Sequence, residues 1–337
     1  MMSGLLPTLV LQADWSVRAE KRWMVQAERT QSGNYRAAQL ERVGDASRLI
    51  ASLRKRINPR DILLVGFDFP IGLPILYARR AGIDDFLAWL PLAGRVEWAN
   101  FFLPARIPEE ICTGQPFYPL KPGAASQSHL ISGLGVSSFD DLRRKCELPQ
   151  PGRRAAAPLF WTLGGQQVGK AAISGWKEVL QPTLAGIADL SLSKVYIWPF
   201  SGTIESLLAP GATILVESYP AEYYRRLGMS FTPRQPAESK TIGEKRYGKR
   251  SQAARKANAG GLVGWAAANE LQLDPNLQVD IQDGFGCSPF GEDMFDAAAG
   301  LFGMLDAILH PTCFHEPAGD EIRRIEGWIF GQRPINS

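Results

Sequence analysis

Cysteine is scarce in this chain. Its 337 residues hold four, Cys112, Cys146, Cys287 and Cys313, far apart and with no Cys-x-x-Cys pair. That excludes a disulfide scaffold, argues against a structural zinc site, and makes a reducing cytoplasm the expected location. Long apolar runs are also missing. The longest, such as 62–66 and 212–216, fall far short of a membrane span, so no membrane association is expected. The first eleven residues are apolar but carry no basic n-region and no small-residue cleavage site before Asp14, which predicts a first strand rather than an export signal. Nor is there a large charge excess: the net charge of +3 is too small to imply nucleic acid by itself. Histidine is limited to His129, His310 and His315. Cys313-Phe314-His315 sets a thiol near an imidazole, but only as a local neighbour. With no Gly-x-Ser-x-Gly elbow and no spaced partner acid, a nucleophilic triad has no support.

What is present is an ordinary globular composition, 45% hydrophobic and 21% charged, long enough for two domains or one with large insertions. Residues 8–13, 22–27 and 35–40 read as three strands joined by short turns, an antiparallel meander. Asp45 is placed to cap a helix over 46–57, where Leu49, Ile50, Leu53 and Ile57 recur at helical spacing before Asn58-Pro59. The continuous apolar run 61–68 predicts a strand buried on both faces, and 212–216 another. Helical pieces are expected at 83–90, 176–190 and 262–271, a Gly/Pro-rich turn at 283–291, and a long helix over 293–309. The irregular, proline-rich stretch 75–210 reads as an insertion or cap. It would divide a core formed by 1–74 and 211–337.

A right-handed crossover through the 46–57 helix would set the fourth strand parallel to the first. The expectation is an α/β fold with a mixed five-stranded sheet in order 3-2-1-4-5, flanked by helices. The C-terminal ends of strands one, four and five would then share one edge.

Those three strands each end in an acid: Asp14, Asp68 and Glu217. Neighbouring strands lie about 4.8 Å apart, close enough for side chains at their ends to share an ion. The last helix adds Asp293 and Asp296, an i, i+3 pair on one face, and Gly300 and Gly303 continue that face, allowing close approach to a sheet. Five carboxylates without visible cationic partners repel one another, and a divalent cation would offset the repulsion. All-oxygen ligands favour Mg²⁺ or Mn²⁺, and also Ca²⁺, over Zn²⁺. Singly, each acid has a structural explanation: Asp14 and Asp68 as turn residues, Glu217 as a satisfied core acid, Asp293 as a helix N-terminal charge, and Asp296 as a solvated face residue. The set of five carries the argument.

Four blocks hold these acids: Ala13-Asp14-Trp15-Ser16, Phe67-Asp68-Phe69-Pro70-Ile71-Gly72-Leu73-Pro74, Glu217-Ser218-Tyr219-Pro220-Ala221-Glu222 and Asp293-Met294-Phe295-Asp296-Ala297. Together they resemble the domain of unknown function 429 family, whose members are regarded as predicted nucleases with an RNase H-like fold. The final Asp-x-x-Asp also resembles the Holliday-junction resolvase branch of that superfamily. The resemblance covers about half of the chain. It implies metal ligands at Asp14, Asp68, Asp293 and Asp296, with Glu217 in or beside the cluster. The long insertion departs from compact members.

Two further signals bear on substrate. Gly164 to Lys170 fits the G-x-x-x-x-G-K spacing of a phosphate loop, but Ala171 follows where a Mg²⁺-binding hydroxyl is needed. A turn in the cap with Lys170 facing a cleft is the better reading. Segment 240–256 holds seven basic residues, Lys249 and Arg250 among them, and would contact phosphates or form a solvated loop. Trp161, Trp176 and Trp198 are expected to pack in the core or cap. The expected function is therefore two-metal hydrolysis of a nucleic acid or other phosphodiester by a Mg²⁺- or Mn²⁺-dependent nuclease or phosphodiesterase. The alternatives are a non-catalytic RNase H-like domain that binds a ligand or protein, and an ATP-dependent enzyme of related topology.

Overall fold

The computed structural model describes residues 5–121, 123, 125–149, 155–163, 168–188, 194–231, 248–311, 314 and 316–333. Its centre is a mixed sheet of eight strands: β1 (Leu9–Asp14), β2 (Trp23–Arg29), β3 (Tyr35–Ala37), β4 (Glu41–Arg42), β5 (Leu63–Phe67), β6 (Val195–Ile197), β7 (Thr213–Glu217) and β8 (Gln272–Leu273). They run in the order β6-β7-β5-β1-β2-β3-β8, with β4 pairing β2. The expected five strands are present in the expected order, and β1, β5 and β7 are mutually parallel. The sheet nonetheless has eight strands rather than five. The three additions span only two or three residues each, too short to show a period of two in sequence. One of them, β6, lies inside the stretch read as an insertion and pairs in parallel with β7.

Strands β1, β5 and β7 are buried on both faces, which explains their unbroken apolar runs. Leu9, Leu11, Leu63 and Val65 belong to one core, and Val10, Leu64, Ile214 and Val216 to the other. The first core is covered by helix α1 (Leu49–Arg56) and by the described residues between 75 and 188. There Phe86, Trp89, Phe101, Phe117 and Trp176 interlock. As expected, Asp45 caps the helical entry, its side chain accepting from the Ser47 amide, although the first turn is 3-10 over Ala46–Arg48. Helix α2 runs as Val168–Gly175, Trp176–Leu180 and Gln181–Ala188. It starts earlier than its expected residue 176. Trp176 and Trp198 are wholly buried and Trp161 is partly so, in keeping with packing roles.

The second core is covered by α3 (Gln252–Ala268), α4 (Pro275–Gln282) and α5 (Gly291–Leu309). The first half of α3 is polar and Ala/Gly-rich, so apolar spacing marks only its end. Helix α5 lies across β1 and β2. A Cβ added at Gly300 would sit 2.6 Å from Cγ of the buried Gln12, so this glycine permits the close approach to β1. Gly303 faces the Tyr223 ring rather than a strand. Among the described residues no helix is long and apolar enough to cross a membrane.

Candidate functional site

The register of the central strands decides where the acids go. Ala13 pairs with Phe67, and the Asp68 amide donates to the Ala13 carbonyl at 3.1 Å, so Asp14 and Asp68 leave adjacent strands side by side. Side chains alternate across a strand. Asp14 therefore shares its face with Val10 and Gln12, and Asp68 shares that face with Leu64 and Gly66, beneath α5. The first turns of α5 add Asp293 and Asp296 above them. These four carboxylates line a cleft of about 1020 Å³.

Glu217 is in a different position from the one expected. It pairs with Phe67, not with Asp68, and the pleat turns it to the opposite face of the sheet. There the insertion meets it with Arg144, which is 0% exposed. Both guanidinium Nη atoms donate to the Glu217 carboxylate at 2.6 Å, and the Ile71 amide donates at 2.7 Å. Nε of Arg144 donates to Glu147 at 2.9 Å, and Nη1 to the carbonyls of Ile71 and Glu326 at 3.1 and 3.2 Å. Glu217 also borders the cleft, and its charge raises the proton affinity of Asp68. Its own oxygens, however, are engaged in a buried clamp joining the insertion to the β7 end. Its part in the structure is to hold the cleft wall.

Three of the other four acids are electrostatically strained. Burial, and then the charges of Asp296, Asp68 and Asp293, push Asp14 well above the usual carboxylate range. Burial, with Asp296 and Glu217 adding to it, pushes Asp68 up to about 7. Asp293 is pushed up to about 6, mainly by burial, with Lys21 opposing from 3.9 Å. Asp296 is the best satisfied: Tyr224 Oη donates to its Oδ1 at 2.6 Å, and Lys249 Nζ donates to its Oδ2.

The substrate candidates are only partly as expected. Lys170 lies half-buried on the cleft wall, at the start of α2. Residues 164–167, the body of the phosphate-loop spacing, lie outside the described residues. Gly169 is packed against the Leu159 carbonyl, where a Cβ would come within 2.6 Å, so its place is explained by packing. Residues 240–247 of the basic segment also lie outside the described residues. In the described remainder, Lys249 pairs with Asp296 and with Glu292 at 3.6 Å, and Arg250 pairs with Glu292 at 3.6 Å. Arg255 donates to the carbonyls of Lys249, Gly284 and Gly286. Of the segment's described cations, Lys249 and Arg250 therefore lie against the acidic site.

Sequence reasoning missed Lys21, Arg144, Tyr224 and Glu292. No local spacing marks them, because each reaches its partner only through the fold. The full donor set suits a hard divalent cation in kind. Asp14, with 6% exposure, accepts no hydrogen bond among the described residues, and Oδ2 of Asp293 is buried without a hydrogen-bond partner. Such unmet negative charge is what an ion would relieve. Among the described residues, no three Asp, Glu, His or Cys side chains already close around one point. The donors are gathered, and one of them, Asp296, is in contact with a lysine. Comparison with protein-family models, curated proteins and solved structures gives no match, so the functional argument rests on the chemistry of this cleft.

Proposed function

We propose that the protein is a Mg²⁺- or Mn²⁺-dependent phosphodiesterase or nuclease of RNase H-like type, with Asp14, Asp68 and Asp293 as its metal-holding side chains. The observation that carries this reading is the side-by-side exit of Asp14 and Asp68 from parallel strands, under a helix that adds Asp293 and Asp296. The bound ion would supply an activated water and offset charge on a phosphoryl oxygen. Asp14 and Asp68, fixed by strand register, give the ion a rigid seat. Asp296, oriented by Tyr224 and Lys249, holds those two groups at the cleft floor. Lys170 borders the cleft and provides positive charge toward phosphate oxygens. Buried Trp15 backs the site: its Nε1 donates to Ser174 Oγ at 3.0 Å, and Arg22 lies over its ring.

The test is cleavage of fluorogenic DNA and RNA oligonucleotides and of a small chromogenic phosphodiester, with Mn²⁺, Mg²⁺ or EDTA. The expected result is metal-dependent hydrolysis that Asp14→Asn and Asp68→Asn both abolish. Saturable Mn²⁺ binding without hydrolysis of any of them would favour the non-catalytic binding domain instead.

A further inference from the structure

The four-acid cleft already contains one built-in cation. Lys249 belongs to the basic segment, yet its side chain is only 35% exposed and its ammonium contacts Asp296. Its position is fixed from behind: Arg255, 2% exposed, donates to the Lys249 carbonyl at 2.6 Å while its other nitrogens bind the Gly284 and Gly286 carbonyls. Burial disfavours the lysine's charge, but Asp296, Tyr224 and Asp68 outweigh it and hold the ammonium protonated. The same charge reaches Asp14, Asp68 and Asp293, lowering the proton affinity of each. With Tyr224 on one oxygen and Lys249 on the other, Asp296 has both of its oxygens engaged. Asp14, nine-tenths buried and without a hydrogen bond among the described residues, faces the same cleft with no such partner.

We propose that this cleft takes a single divalent ion, on the Asp14–Asp68 side, and that the ammonium of Lys249 permanently fills the second cation position beside Asp296. This rests on the metal-dependent reading above and replaces the pair of ions expected from sequence. Charge balance supports it. When ionised, Asp14, Asp68, Asp293 and Asp296 bring four negative charges; Lys21 and Lys249, the two lysines against them, return two, and one divalent ion neutralises the remainder, which leaves Lys170 at the cleft border for the substrate. A second ion would leave the cleft positive and would have to displace an ammonium from a buried carboxylate. Two ions about 3.5–4 Å apart therefore compete with Lys249 for the same volume. Glu292 adds no free charge, since Arg250 as well as Lys249 lies against it.

The experiment is a Mn²⁺ titration of the full chain, followed by the free-ion electron paramagnetic resonance signal and by metal content after dialysis. Wild type and Lys249→Arg are expected to saturate at one ion per chain with an uncoupled spectrum. Lys249→Gln is expected to take a second ion and to show the exchange-coupled spectrum of a close pair. Two ions in wild type, or one in Lys249→Gln, would overturn this inference while leaving the metal site in place. Absence of saturable binding in all three proteins would overturn the metal reading and this inference with it. Circular dichroism of each variant confirms that folded protein is compared.

Discussion

Replacing Asp68 by Asn should stabilise the metal-free protein at pH 8. The carboxyl rises from 3.8 to about 7 on folding, chiefly through burial and Asp296. A raised acid binds its proton more tightly in the folded state. Its contribution is fully present below about pH 4, falls as pH rises toward 7, and is gone above it. The interval corresponds to an upper value of about 4 kcal/mol. Lys249 already opposes the rise, and relaxation around the new amide reduces further what one substitution recovers, to about 1–3 kcal/mol. Asn keeps the shape and never ionises. Urea denaturation in EDTA should therefore show Asp68→Asn more stable than wild type at pH 8, with the gain absent at pH 4. With Mn²⁺ at a thousand times Kd the order should reverse, since only wild type gains the full binding energy, about 4.1 kcal/mol. A loss of about 1–3 kcal/mol in EDTA at both pH values, with an unchanged Mn²⁺-induced gain, would refute the reasoning. It would make Asp68 a structural acid satisfied by local donors.

Other consequences are equally direct. Protons compete with an ion for Asp68 and Asp293, which titrate at about 7 and about 6, so Mn²⁺ affinity measured by calorimetry should rise between pH 5.5 and 8 and level off above. Arg144→Met leaves Glu217 and Glu147 buried without their cation and should destabilise by about 3–5 kcal/mol in urea, part of which Arg144→Met/Glu217→Gln recovers. Glu217→Gln alone should leave Mn²⁺ binding intact, whereas Asp14→Asn should remove it; equal losses in both would return Glu217 to the metal set. Gly300→Val drives a side chain into Gln12 and should lower stability by about 1–3 kcal/mol, read as a drop in Tm.

The sequence by itself determined the strand order, the parallel setting of β1, β5 and β7, and the convergence of Asp14, Asp68, Asp293 and Asp296. These follow from signals carried within single segments: apolar runs, a capped helix, acids at strand ends, an i, i+3 pair. The short strands β4, β6 and β8 were not legible, because two or three residues carry no periodicity and exist as strands only where a neighbour offers its backbone. Glu217 looked equivalent to Asp68 because both close an apolar run. Only pairing shows that it is one residue out of phase, and a one-residue offset reverses the face a side chain takes. The partners were hidden for a related reason. Lys249 lies 47 residues from Asp296, and Arg144 lies 73 from Glu217. Charge pairing depends on distance in space, so the sequence could gather the acids while only the tertiary structure decided which of them are already neutralised.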